Sequence, residues 1–157
     1  MLVRGSSLGS VLVYLAQWAC FRCVELRAHG YWSHVALVVH VDGRIVEAGT
    51  GGVACRRLER YRDSEYHYIH LGTPLRARRD AVRLAVSSVG ARYAYLRFFR
   101  RSVAAIVGDE LVPSGSGHAC ASLVASALAH AGEAFGRSPA DMLPADLARH
   151  YGLTPVR

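Results

Sequence analysis

The spacing of apolar residues changes its period partway along the chain. Leu2 to Arg4 reads as a short strand, and Gly5 to Ser10 as a turn in which Ser7 or Ser10 can cap a helix. Val11 to Arg27 is expected to form that helix, ending near Gly30. Val35 to Val41 is a β-branched run of strand type. Asp42-Gly43 is a hairpin signal, with Arg44 to Ala48 as the returning strand. A turn centred on Asp42-Gly43 sets residue 38 opposite residue 47. Gly49 to Gly52 reads as a tight loop, Val53 to Leu58 as an extension of the sheet, and Glu65 to Leu71 as a further strand.

From Leu75 onward the pattern is helical. Ala81, Val82, Ala85, Val86 and Val89 recur at helical spacing, and Gly90 ends that helix. Tyr93 to Val107 is expected to be a second helical segment, and Asp109 to Gly117 a loop. Ala119 to Ala131 forms an apolar helix ended by Gly132, and Asp141 to Tyr151 a short final one. One helix, a strand meander and then helices predict a single α+β domain over residues 1–157, an antiparallel sheet packed against helices.

Composition narrows this picture. Hydrophobic residues make up 52% of the chain, which argues against disorder. No apolar run reaches the roughly 18 residues of a membrane span. The stretch VLVYLAQWA has a faint likeness to a signal peptide, but Gln17 interrupts it and no clear cleavage site comes after it. A cytoplasmic location is therefore favoured. The formal charge of +7 suits an acidic partner or an anionic membrane surface.

The four cysteines, Cys20, Cys23, Cys55 and Cys120, are too sparse for a disulfide scaffold. Cys20 and Cys23 lack the second ligand pair that a structural zinc site needs, so they read as small core residues on one helix face. No metal and no cofactor are expected.

Chemistry concentrates in PSGSGHACASLVASALAHAG, Pro113 to Gly132. A loop of small residues opens into an apolar helix with Cys120 at its start. Unpaired N–H groups and the positive end of the helix dipole there favour a thiolate. Gly117 and its neighbours let a substrate approach the backbone closely, and the Cys120 N–H can meet a developing oxyanion. A thiolate still needs a base. His34, at the start of a strand directly after Tyr31-Trp32-Ser33, is the best candidate. Glu47 is a carboxylate in an otherwise apolar strand, RIVEAG, and so needs a partner. It either orients His34 or faces solvent. His118 reads as a pocket wall or a solvent residue. His40, His67, His70, His130 and His150 have no carboxylate pattern nearby and read as structural or surface residues.

SHVALVV, IVEAGTGGV and CASLVASALAHAG, with Pro144-Ala145-Asp146-Leu147 near the end, resemble the circularly permuted branch of the NlpC-type, papain-like fold. YiiX-like proteins and lecithin:retinol acyltransferase-like enzymes lie in that neighbourhood. In the ordinary branch the cysteine helix precedes the histidine strand; here the histidine comes first. The resemblance implies a cysteine hydrolase or acyltransferase with Cys120 as nucleophile, His34 as base and Glu47 as third member. Gly90-Ala91-Arg92-Tyr93 resembles the family's G-x-x-Y element, which implies that Tyr93, or else Tyr95, lines the substrate pocket or supports the oxyanion. The same cleft implies substrate-binding roles for Ser33, Gly117 and His118. Ala119 stands where many unpermuted members carry aspartate, so their dipeptide specificity does not carry over.

The implied substrate is a peptide amide, a cell-wall-type peptide or a lipid-type ester, with amide hydrolysis ranked first. A catalytically silent binding module of the same fold is the rival. The basic aromatic run Tyr93 to Arg101 can dock an anionic membrane surface, or it forms an ordinary amphipathic helix. No nucleic-acid-binding motif accompanies it.

Overall fold

The computed structural model describes residues 1–4, 13, 29–92 and 120–153. The expected first helix apart from Val13, the segment 93–119 with Tyr93, Tyr95, Gly117 and His118, and both Cys20 and Cys23 lie outside the described residues. Within them the protein is α+β, with two small antiparallel sheets and three helices. The strands are β1 (Leu2–Arg4), β2 (His34–Val35), β3 (Leu37–Val38), β4 (Arg44–Gly49), β5 (Gly52–Arg57) and β6 (Glu65–His67). The helices are α1 (Leu75–Ser87), α2 (Cys120–His130) and α3 (Pro144–His150), with 3₁₀ turns at Leu58–Tyr61 and Pro139–Asp141.

One sheet has the order β2-β1-β6, the other β3-β4-β5. The expected continuous strand over residues 35–41 is therefore two short strands. Its first part pairs with β1, Val3 opposite His34, and its second with β4, Leu37 opposite Val46. Ala36 is the seam, its N–H still donating to Met1 O at 2.9 Å. The chain changes partner there, which puts His34 where the two sheets meet.

The register of the β3–β4 hairpin also differs from expectation: Val38 lies opposite Ile45, not Glu47. Asp42-Gly43 does not form the centre of a two-residue turn. The turn runs from His40 to Gly43, closed by Gly43 N–H donating to His40 O at 3.2 Å, with Val39 N–H donating to Arg44 O at 2.9 Å below it. The Asp42 carboxylate accepts from the Arg44 N–H at 3.1 Å, an Asx-type bond that favours this longer loop. Continuing the observed register puts Glu47 opposite Ala36, so Glu47 and His34 are diagonal neighbours on one face, within reach of long side chains.

β4 and β5 form a two-residue hairpin with Gly49 opposite Gly52. Gly52 has φ +100°, and a Cβ there would lie 2.6 Å from Ala91 O. Only glycine fits this close approach, which is locked by bonds between Val53 and the backbone of residues 90 and 91. β6 stops at His67, short of the predicted Leu71.

Strand alternation divides the apolar residues between two cores. Leu2, Val35, Leu37, Val46, Ala48 and Val53 join the helices in the larger one. Met1, Val3, Ala36 and Ile45 form the smaller, with Leu58 and Tyr61 packed against it. α2 runs through the larger core and is buried on nearly every side, its small and apolar residues interrupted only by Ser122, Ser126 and the terminal His130. Ala81 and Ala85 of α1 share its cluster with Ala121 and Ala125, small residues that let the helices approach closely. α2 ends in a Schellman pair, Glu133 N–H to Leu128 O and Gly132 N–H to Ala129 O, both 3.0 Å. α3 begins at Pro144 rather than Asp141, because proline suits the first helical position. Buried Asp146 caps it, accepting from Leu143 N–H and from Arg137, each at 2.9 Å. No helix among the described residues is long and apolar enough to cross a membrane.

Candidate active site

Cys120 is the first residue of α2 and is 5% exposed. α2 packs on β2 and brings the sulfur close enough to the His34 imidazole for each group to shift the other's proton affinity. The backbone N–H groups of Val35 and Ala121 also point at the sulfur. One comes from the strand that carries the base, the other from the first turn of the helix.

His34 Nε2 lies 2.9 Å from Glu47 Oε2, and the two side chains are 18% and 8% exposed. With Nε2 engaged, Nδ1 is the ring nitrogen left for the thiol. Glu47 sits on β4, whose apolar neighbours Ile45, Val46 and Ala48 are all buried. The hydroxyl of Tyr61 donates to the same carboxylate oxygen, and Arg60 Nε lies 3.9 Å from the other. Tyr61 also covers the imidazole, with ring centroids 5.9 Å apart and planes at 31°.

These contacts set the charge states. Burial would lower the imidazole pKa, but the charge and hydrogen bond of Cys120, then those of Glu47, raise it to about 10. Burial would raise the thiol, but the His34 charge and hydrogen bond and the two backbone N–H groups bring it below its ordinary value. Burial likewise opposes ionisation of Glu47. Hydrogen bonds from His34 and Tyr61, with the charges of His34 and Arg60, overcome it and lower that pKa. Thiol and imidazole each favour the charged form of the other, and the Glu47 carboxylate favours the imidazolium.

The structure thus brings together Cys120, His34 and Glu47, far apart in sequence. Ser33 is buried, 4% exposed, with its N–H donating to Val3 O at 3.2 Å. Two histidines expected to lack carboxylates have them: His40 lies 2.8 Å from Asp42 and His150 lies 3.0 Å from Glu133. His150 also stacks between Phe135 and Tyr151.

Sequence reasoning missed Tyr61, Arg60 and the two N–H groups on the sulfur. No local signal marks Tyr61, which sits in a run of alternating charges, RRLERYRD. An apolar cavity of about 30 Å³ lies behind β2, lined by Val35, Leu37, Ile69, Leu71, Val124 and Leu128 among others. Cys120, His34 and Glu47 are not among its lining residues. No group of three metal-ligating side chains occurs among the described residues. Comparison with protein-family models, curated proteins and solved structures returned no match.

Proposed function

We propose that the protein is a cysteine hydrolase that cleaves an amide bond, of a peptide or cell-wall-type peptide, through an acyl-enzyme. The observation that carries the reading is the meeting of Cys120 with His34, whose ring is in turn hydrogen-bonded to Glu47. The thiolate attacks the carbonyl carbon. The imidazolium gives its proton to the leaving amine, and the neutral imidazole then takes a proton from the water that resolves the thioester. Glu47 holds the ring in orientation and balances its charge while it is protonated. The fold that best accommodates this order of elements is a permuted papain-like, NlpC-type domain, with the histidine strand ahead of the cysteine helix. Lipid-ester hydrolysis or acyl transfer uses the same constellation with a different acyl group.

One observation favours a second reading. The sulfur is nearly enclosed, 5% exposed, as it would be in a papain-like binding module that performs no chemistry. Thiol reactivity separates the two. Each unit of pKa lowering raises the thiolate fraction about tenfold and costs about threefold in nucleophilicity, a net gain of about threefold at neutral pH. Iodoacetamide should alkylate Cys120 well below pH 8 and faster than Cys20, Cys23 or Cys55, and His34→Ala should remove that advantage. Labelling of Cys120 no faster than Cys55 favours the silent module. Paired acyl probes, one a peptide amide and one a lipid ester, combined with mass identification of the Cys120 adduct, distinguish the substrate classes.

A further inference from the structure

We propose that Tyr61 is a positioning residue of this site, clamping the Glu47 carboxylate and the face of the His34 ring from the 3₁₀ turn after β5. The inference rests on the hydrolase reading above. Glu47 Oε2 accepts two hydrogen bonds, one from His34 Nε2 at 2.9 Å and one from the Tyr61 hydroxyl. An ionised carboxylate only accepts, so the phenol is the donor. The tyrosine ring lies against the imidazole at 5.9 Å between centroids. Arg60, from the same turn, adds a more distant charge 3.9 Å from Oε1, with its side chain 61% exposed.

The turn itself is well anchored. Leu58 N–H donates to Gly43 O at 2.9 Å, and Leu58 and Tyr61 pack on the small core around Ile45. A carboxylate held by the imidazole alone is free to swing and, in a buried place, to take up a proton. The second donor removes both freedoms. Glu47 then stays anionic and fixed while His34 gains and loses its proton.

The test uses the whole chain with iodoacetamide as probe, reading Cys120 adduct formation against pH, together with an NMR titration of the His34 ring. Tyr61→Phe keeps the ring contact and removes the donor. It should lower the upper, imidazole pKa by about one unit and slow alkylation at neutral pH by about threefold. Arg83→Gln, on α1 with its side chain 80% exposed, should change neither rate nor limb by more than about twofold. Tyr61→Phe profiles that superimpose on the wild type, in a wild type with an activated Cys120, overturn the clamp and leave the hydrolase reading standing. A wild-type Cys120 no more reactive than Cys55 overturns the hydrolase reading and the clamp with it. Should Tyr61→Phe fail to fold, the wild type still decides: the Tyr61 hydroxyl proton should give a resolved, exchange-protected downfield resonance, and its absence refutes the clamp.

Discussion

Replacing Cys120 with serine should remove a pH dependence of stability that only a thiol and an imidazole in contact can produce. In the unfolded chain the imidazole titrates near 6.5 and the thiol near 9.0. Folding raises the first to about 10 and lowers the second. The raised His34 contributes stability that is full below 6.5 and lost as pH rises through about 10. The depressed Cys120 contributes stability that is full above 9.0 and lost as pH falls through its folded value. Above 6.5, and once the folded thiol is ionised, both folded and unfolded states hold one proton, so stability is flat up to about pH 9. From about pH 9 to about 10 the unfolded chain holds none and the folded pair still holds one. Stability therefore falls by about 1.4 kcal/mol across that unit.

In Cys120→Ser there is no thiol to titrate, and His34 loses the largest of the contributions that raise its pKa. The imidazole is then neutral in both states across this range, and the fall disappears. Urea unfolding of both proteins under reducing conditions at about pH 8, 9 and 10 measures it. The chain has no lysine, so the other groups of the unfolded chain titrating there are the remaining thiols, the amino terminus and the tyrosines, which both proteins share. A stability difference that stays constant with pH would show that sulfur and imidazole do not share a proton, and the site would lose its basis.

Three further outcomes are expected. Glu47→Gln should slow Cys120 alkylation at neutral pH by up to about tenfold without abolishing it, and lower the His34 pKa; an unchanged rate in a stopped alkylation series would remove Glu47 from the site. Gly52→Ala should cost about 2–4 kcal/mol in urea, because its Cβ would sit 2.6 Å from Ala91 O at φ +100°. Gly43→Ala, whose nearest neighbour would be 3.5 Å away at φ +82°, should cost only about 1 kcal/mol, so equal losses would contradict the steric argument. Leu147→Ala, at a side chain 1% exposed in the main core, should cost about 2–5 kcal/mol in thermal or chemical unfolding.

The elements whose signal is local were readable. The helical spacing and terminal glycines of α1 and α2 located both within two residues. Glu47 drew attention because a carboxylate in a buried strand must be partnered, and its partner is the predicted one. What could not be read depends on contacts distant in sequence. The strand break at Ala36 exists only because β1 and β4 compete for successive residues of one extended segment. The hairpin register slipped by two residues because the Asp42 side chain selects a longer turn than Asp-Gly alone suggests. Tyr61 was invisible because its 3₁₀ turn carries no apolar period, and nothing local separates it from the exposed Tyr66 and Tyr68.

The separation of Cys120 and His34 by 86 positions has a consequence for how the protein comes to life. Neither residue has its altered proton affinity until a very long loop closes and α2 docks on β2. A nascent chain still missing its last third does not yet contain Cys120. The reactive sulfur is thus born at the moment tertiary structure is completed, and a destabilised variant would be chemically quiet in proportion to the time it spends open. On the proposed reading, folding itself serves as the safety catch on the sulfur.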